Sequence, residues 1–208
     1  MAFVKSVYYH TELESRINLR PNQMIAGFDI SEVLLSNLRA DMEKKCSSDY
    51  YVVAINEITE FYYGMIDRNN STGHAIYRVK YKAYICSPAK DQKIVVKYDA
   101  KIPDKLSATN GPMFIMISDE AVPDALFTIN QNGDSSDLLY KPENRIIGPD
   151  DYLLVQVERT QYTQNEKTII VGAKLLGLAT AKEIKEYHKQ ERMILDPEIA
   201  EYNDSDYI

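Results

Sequence analysis

The stretch KIVVKYDAKI, residues 93–102, decides how the second half of the chain folds. Every second residue from Ile94 to Ile102 is apolar, aromatic or small, and most positions between them are charged. A period of two predicts a β-strand with one buried face and one face in water. Further strand-like segments, separated by turn-rich loops, follow at residues 113–118, 152–159 and 168–176. Five short strands with almost no helix over about ninety residues predict a small closed barrel, with the OB-fold first.

Two segments fall outside this strand pattern. Residues 130–150 are long and polar for a loop inside a small barrel, and they are interpreted as either a disordered excursion or a functional insertion. Beyond the barrel, Thr180 and Glu183 have the spacing of a capping box, which predicts a helix that runs to about Leu195. The acidic end that follows Pro197 predicts a frayed terminus.

The first 88 residues predict one helix among several strands. Residues 4–19 predict an opening strand and its return, which Pro21 ends. Asp29, with Glu32 three places later, matches a capping box and predicts the start of a helix. Apolar residues then recur at spacings of three and four, which predicts a core-facing stripe formed by Ile30, Val33, Leu34, Leu38 and Met42.

Strands are predicted after this helix. Residues 50–58 and 61–66 are rich in β-branched and aromatic side chains, whereas residues 67–73 form a polar stretch that predicts an exposed loop. From His74 to Cys86 basic residues alternate with a buried row, predicted as Tyr77, Val79, Tyr81, Ala83 and Ile85. We therefore predict an α+β protein with a small α+β domain at 1–88, a five-stranded OB-fold barrel at 89–178, and a C-terminal helix with an acidic tail at 179–208.

The charge balance limits what the chain can bind alone. It has 24 Lys and Arg against 31 Asp and Glu, a formal net charge of −7. This field repels phosphate and excludes a tight stand-alone protein that coats nucleic acid. Cys46 and Cys86 are too few for a disulfide scaffold or a zinc site of their own. No apolar run is long enough to cross a bilayer, so no membrane partner is expected.

The sequence shows no catalytic constellation. His10, His74 and His188 have no Cys, Asp or Glu at metal-ligand spacing. The stretch between Gly64 and Gly73 lacks the Gly-Lys-Ser/Thr ending of a phosphate-binding loop. We therefore expect no enzymatic activity, no cofactor and no metal site.

Several stretches, taken in order along the chain, resemble one family. Residues 111–123, GPMFIMISDEAVP, are similar to a stretch of the seventh subunit of RNA polymerase II, in which a Gly-Pro turn leads into a strand that ends in Ile-Ser. Archaeal RNA polymerase has a counterpart of this stalk subunit, which belongs to the same family. The other stretches that resemble the family are YYH at 8–10, YYVVAI at 50–55, GMI at 64–66 and VKYKA at 79–83, which Pro88 follows.

The chain also departs from the family pattern. The second strand is entered through Ser48-Asp49-Tyr50 rather than a Gly-containing turn, and the tip loop is polar. The helix from Thr180 lies beyond the family's common core. These features identify a divergent member, and they fit a large DNA virus or an early-branching eukaryote.

The resemblance implies two sites. The first domain would dock at the base of the polymerase clamp, against the largest subunit and a small shared subunit, with a helical fourth subunit along the joint. Its docking tip loop corresponds here to Gly64, Met65, Ile66, Asp67, Arg68 and Gly73. The barrel would carry a weak, sequence-independent track for nascent single-stranded RNA, made of Lys93, Lys97, Lys101 and Lys105 with Phe114 as a stacking residue. A solvated outer face of the barrel is the alternative reading of these lysines.

The resemblance thus implies a non-catalytic stalk subunit of a multisubunit DNA-dependent RNA polymerase, which presents its OB-fold near exiting RNA. The alternative is a free-standing single-stranded RNA-binding or translation-factor-like protein that uses only the barrel. The start of the chain lacks a secretory signal, so secretion is not expected. The expected location is the nucleus for a cellular protein, and a cytoplasmic viral factory or the virion for a viral one.

Overall fold

The N-terminal part forms an antiparallel sheet that is covered by one helix. The computed structural model describes residues 6–24, 29–66, 73–132 and 135–195. Within them the sheet has the strand order β1-β5-β3-β2, and a short strand, β4, pairs with the start of β5. The elements of this part are β1 (Tyr8–Leu19), α1 (Ile30–Met42), β2 (Lys45–Cys46), β3 (Tyr51–Phe61), β4 (Met65–Ile66) and β5 (Ala75–Cys86).

A single strand stands where the sequence predicted an opening strand and its return. β1 pairs residue by residue with β5, from Tyr8 opposite Cys86 to Leu19 opposite Ala75. Residues 8–19 contain neither Gly nor Pro, so no strong turn signal sends the chain back. The predicted return was therefore wrong.

Helix α1 begins at the predicted cap. The Asp29 carboxylate accepts a hydrogen bond from the Ser31 N–H at 2.8 Å, which satisfies one of the N–H groups left unpaired at a helix start. Leu34 and Leu38 are fully buried against the sheet, as their spacing predicted. Ile30, in the first turn, is exposed rather than buried.

Strand β5 shows the predicted alternation. Its buried row includes Val79, Tyr81, Ala83 and Ile85, and the Tyr81 hydroxyl lies 3.2 Å from the Ser15 hydroxyl. The opposite face carries ion pairs with the neighbouring strands, namely Lys80–Glu60 at 2.8 Å, Lys82–Glu57 at 2.7 Å and Arg78–Glu14 at 3.0 Å. Exposed pairs contribute little to stability, so apolar burial beneath α1 holds this sheet together.

The second part is a closed five-stranded barrel. Its strands follow one another around the barrel in the order β6-β7-β8-β13-β12, and β12 pairs back to β6. β8 and β13 pair in parallel, whereas the other four pairs are antiparallel. The strands are β6 (Lys93–Ile102), β7 (Lys105–Asn110), β8 (Met113–Ser118), β12 (Tyr152–Gln161) and β13 (Ile169–Leu178). The prediction of an α+β fold with an OB-like barrel is confirmed.

The connection between β8 and β12 is folded rather than a loop. It contains β9 (Phe127–Asn132), β10 (Ser135–Tyr140) and β11 (Arg145–Ile146), which form a small antiparallel sheet. Phe127 and Leu138 are buried in the barrel core, together with Ile147. The disordered-excursion interpretation of residues 130–150 was wrong for the residues described, because scattered apolar side chains inside a polar stretch are enough to anchor it.

The barrel core continues into the N-terminal sheet. Tyr8, Tyr84 and Cys86 belong to the same buried cluster as the barrel interior. The Cys46 N–H donates to the Glu166 carbonyl at 2.7 Å, and the Asn165 N–H donates to the Cys46 carbonyl at 3.0 Å. Sheet and barrel therefore meet through a packed joint, and the domain limits at residues 88 and 178 stay predictions.

Helix α2 (Ala181–Leu195) follows the last barrel strand. The Thr180 N–H donates to the Glu183 carboxylate at 2.8 Å, and the Glu183 N–H donates to the Thr180 hydroxyl at 3.4 Å. This reciprocal pair is the capping box that the sequence predicted. The acidic tail at 196–208 lies outside the described residues.

Replacement of Leu138 by Ala tests whether the segment after β8 is part of the barrel core. Removing a fully buried leucine side chain should lower the free energy of unfolding by about 2–5 kcal/mol. The matched control is Leu139→Ala, because Leu139 is its half-buried neighbour and should cost about 1 kcal/mol. Urea unfolding followed by circular dichroism measures both. Equal losses in the two variants would contradict the burial described above.

Candidate docking and RNA-contact surfaces

An exposed apolar patch lies at the far end of the N-terminal sheet. We define the tip patch as residues 61–66, which contain five large apolar or aromatic side chains. Tyr63 is 97% exposed and Met65 is 75% exposed, and Phe61, Tyr62 and Ile66 are also exposed. An isolated apolar residue on a surface needs no explanation, whereas contiguous exposed apolar patches are typical of interaction sites.

Two glycines shape the tip. A Cβ atom at Gly64 would lie 2.4 Å from Tyr77 Cε2, so any side chain there would displace the Tyr77 ring. Gly73 has φ +66°, a left-handed conformation that favours glycine. The predicted docking residues Gly64, Met65, Ile66 and Gly73 thus lie together where β4 meets β5. Asp67 and Arg68, also predicted there, lie outside the described residues.

The predicted lysine row is only partly on the barrel surface. Lys93 and Lys97 lie on the outer face of β6, and Lys105 is exposed at the start of β7. The Lys97 ammonium lies 3.1 Å from the Asp150 carboxylate, and this hydrogen-bonded ion pair raises the pKa of Lys97. Lys97 is therefore firmly charged, but part of its charge is already neutralised.

Lys101 does not belong to the exposed row. Its side chain is 2% exposed, and its ammonium lies 2.8 Å from the Asp119 carboxylate and donates to the Ile102 and Pro103 carbonyls. The cause is a register shift between Tyr98 and Ala100, because an extra residue in one strand reverses which face the following residues point to. The prediction of Lys101 as an RNA-contacting residue was therefore wrong.

Phe114 lies on the outer face of the barrel, as the stacking hypothesis required. Ile115 and Ile117 point into the core, whereas Phe114 and Met116 are half-buried on the outside. Register places Phe114 beside Thr109 on one side, and Thr109 beside Lys97. Phe114 and Lys97 are thus two strands apart, roughly 10 Å at ordinary strand spacing.

A groove that no sequence pattern predicts lies next to Phe114. It has a volume of about 330 Å³ and is lined by Met116, Arg159, Thr160, Gln161, Ile170 and Gly172. Gly172 makes room for Arg159, since a Cβ atom at Gly172 would lie 2.8 Å from Arg159 Cγ. Phe114 pairs with Ile170 and Met116 with Gly172, so apolar side chains form the floor and one guanidinium forms the wall. A glycine inside an apolar strand signals such a close approach.

The chain has relatives among polymerase subunits, although no protein-family model matches it. A protein of Acanthamoeba polyphaga mimivirus, provisionally named DNA-directed RNA polymerase subunit L376, is 34% identical over 195 residues, which are 94% of this chain and 95% of that protein. DNA-directed RNA polymerase II subunit rpb7 of Dictyostelium discoideum is 22% identical over 170 residues, 77% of this chain and 91% of that protein. This chain belongs to the Rpb7-like family of DNA-directed RNA polymerase subunits.

Family membership confirms the resemblance read from the sequence. The Rpb7-like chain is a subunit of a multisubunit RNA polymerase, and other polymerase subunits are its partners. It is a divergent member, because its identity to the cellular subunit is 22%, against 34% to the viral protein.

The remaining reactive side chains of the Rpb7-like subunit are buried or dispersed. Cys46 and Cys86 are free thiols, and burial raises the pKa of both, which disfavours a nucleophilic thiolate. Among the described residues, no group of three or more His, Cys, Asp or Glu side chains could hold a metal ion. No helix within the described ranges is long and apolar enough to span a membrane.

Replacement of Lys101 by Ala tests its structural role in the barrel. The change removes the hydrogen bonds of a charged group, so we expect a loss of about 2 kcal/mol in the free energy of unfolding. Lys93→Ala, the matched control on the outer face of the same strand, should leave stability within about 0.5 kcal/mol. Thermal unfolding of both variants is the measurement. A Lys101→Ala variant as stable as the wild type would show that the buried pair contributes nothing.

Proposed function

We propose that this Rpb7-like chain is a non-catalytic stalk subunit that docks on the polymerase through its tip patch and presents its barrel to nascent RNA. The observation that carries the proposal is the tip patch itself, with Tyr63 97% exposed and Met65 75% exposed at the end of the sheet. Aromatic and methionine side chains are enriched at the centres of protein interfaces.

The docking partner is the base of the polymerase clamp. The family relation supports contacts of the tip patch with the largest subunit and with a small shared subunit. Gly64 and Gly73 keep the tip narrow, since neither position accepts a side chain without displacement or strain. A narrow apolar projection suits insertion into a cleft between two subunits, where its burial supplies the binding energy.

The RNA-contact surface is the outer face of β8 and β13. Phe114 and Met116 offer stacking surfaces for bases, and Arg159 offers a guanidinium to a phosphate. Within the described part of the chain, Arg159 forms no ion pair. Lys105 lies at the end of the same face and extends the positive surface. RNA held only at such a surface binds weakly, which suits a subunit that meets the transcript inside a larger assembly.

The wider setting follows from the proposed stalk role. A helical fourth-subunit partner, where the polymerase has one, would lie along the joint between sheet and barrel. The subunit would act in the nucleus of a cell, or in the viral factory or virion of a large DNA virus.

Replacement of Tyr63 and Met65 by Ser should detach the subunit from the polymerase. Loss of two central apolar contacts is expected to cost at least about 2 kcal/mol of binding, so recovery with the large subunits should fall more than tenfold. The measurement is copurification of the tagged subunit from cells that carry the polymerase. The matched control is Ile146→Ser, since Ile146 is 59% exposed but lies in β11, outside the tip patch.

The same experiment separates the stalk from a free-standing protein. A wild-type chain that is recovered without any large polymerase subunit would overturn the stalk proposal. A Tyr63→Ser/Met65→Ser variant that copurifies like the wild type would place the docking surface on another part of the chain.

Replacement of Phe114 and Arg159 by Ala tests the RNA-contact surface. Phe114→Ala should weaken binding of single-stranded RNA by about 1–3 kcal/mol, because one stacked base is lost. Arg159→Ala should reduce the slope of log affinity against log salt by about 0.7 for each phosphate contact removed. Fluorescence anisotropy with a labelled RNA oligonucleotide, measured across a salt series, gives both quantities.

The control for this test is Arg16→Ala, which removes one exposed positive charge from the N-terminal sheet. It should leave both affinity and salt slope unchanged. If Lys93→Ala and Lys105→Ala weaken RNA binding while Phe114→Ala and Arg159→Ala do not, the RNA runs along the lysines and not across β8 and β13.

A further inference from the structure

We propose that α2 is an intramolecular strap that fixes the barrel to the N-terminal sheet. The helix starts at the end of the last barrel strand, where the Ala179 N–H donates to the Tyr152 carbonyl at 2.9 Å. Fifteen residues of α-helix extend about 22 Å. That length carries its C-terminal end across β6 to the joint between the two parts.

The first attachment of α2 is aromatic and lies on the barrel. Tyr187 is 7% exposed, and its ring centroid lies 5.1 Å from that of Tyr152 in an edge-to-face arrangement. His188 adds a second edge contact with Tyr152 at 5.4 Å. Burial raises the pKa of Tyr187 to about 12, which agrees with a ring removed from water.

The second attachment lies at the joint. Met193 and Ile194 pack against the buried cluster that sheet and barrel share. A Cβ atom at Gly111 would lie 3.0 Å from Ile194 Cδ1 and 2.4 Å from the Tyr8 hydroxyl. Gly111, in the turn between β7 and β8, is therefore where helix, barrel and sheet meet, and its φ of +54° also favours glycine.

The residues that make these contacts share one face of the helix. Tyr187 and Ile194 are seven positions apart, which is two turns, whereas Lys185, Glu186 and Lys189 are exposed. The helix is amphipathic, and its apolar face is already occupied within the chain. A separate helical partner at the joint would have to lie beside α2 rather than in its place.

The consequence is a coupling between two places that share no residue. Tyr187 lies against Tyr152 on the barrel, yet its loss should loosen the joint between β2 and the loop that precedes β13. Two backbone hydrogen bonds report on that joint, from the Cys46 N–H to the Glu166 carbonyl and from the Asn165 N–H to the Cys46 carbonyl. Both are far from Tyr187 in sequence and involve no residue of α2.

Hydrogen exchange on the full chain tests the strap. In Tyr187→Ala, in Ile194→Ser and in the variant that combines them, the amides of Cys46 and Asn165 should exchange at least about tenfold faster than in the wild type, whereas those of Val155 and Val171 inside the barrel should not change. Tyr187→Phe keeps the ring and Lys185→Ala alters only the exposed face, so both should match the wild type. Two outcomes would overturn the proposal. In the first, the α2 amides lose protection but the joint amides keep wild-type exchange rates. In the second, the α2 amides stay protected in the combined variant.

A second measurement covers the case in which a variant loses the fold. A protease site inserted at Ala179 of the otherwise unaltered full chain allows the helix to be cut from the barrel after folding. The cut helix should coelute with residues 1–178 in gel filtration at micromolar concentration, and its separate elution would overturn the proposal. Neither measurement involves the polymerase or RNA, so the strap and the proposed stalk function can fail independently.

Discussion

The structure depends on closure of the barrel by the parallel pair β8 and β13. The other four pairings alone would leave a curved sheet with two open edges. Closure buries Ile115 and Val171 on the inside, and on the outside it places Met116 beside Gly172. The same pairing therefore produces both the core and the groove. Arg159 lies on β12, and β13 lies between β12 and β8. This strand order places Arg159 opposite the half-exposed side chains of β8.

Three positive charges of the barrel lie in three different environments. Lys101 is neutralised inside by Asp119, Lys97 is partly neutralised by Asp150, and Arg159 faces the groove. A net charge of −7 thus coexists with a local positive surface. Some acidic residues pair with lysines, and none of the residues that line the groove is acidic. In its proposed role, such a subunit would meet RNA through the geometry of the assembly rather than through long-range attraction, which salt screens within about 10 Å.

Local patterns in the sequence predict the regular parts of this fold and fail at its irregular ones. The period of two correctly predicted which residues of β5 point to each face, because no register shift interrupts its pairing with β1. The same rule failed beyond Tyr98 in β6, where one extra residue reverses the faces. The groove could not be predicted from the sequence for another reason. Residues 116, 159 and 172 become neighbours only when the barrel closes. The burial of Phe127 and Leu138 was not predicted, because two apolar side chains do not change the polar composition of the surrounding segment.

The packed joint gives the proposed stalk a mechanical property that a flexible linker would not. A tethered barrel would sample a volume set by the linker, which dilutes its surface at any one place. Here Tyr8 and Cys86 are buried in the barrel's own core, and the Tyr8 hydroxyl lies 3.3 Å from the Asn110 side chain. An orientation fixed at the tip patch is therefore carried through β1 and β5 to the barrel. The groove beside Phe114 is then held in one direction relative to the tip patch. For the proposed RNA contact, this fixed position would matter more than a high affinity.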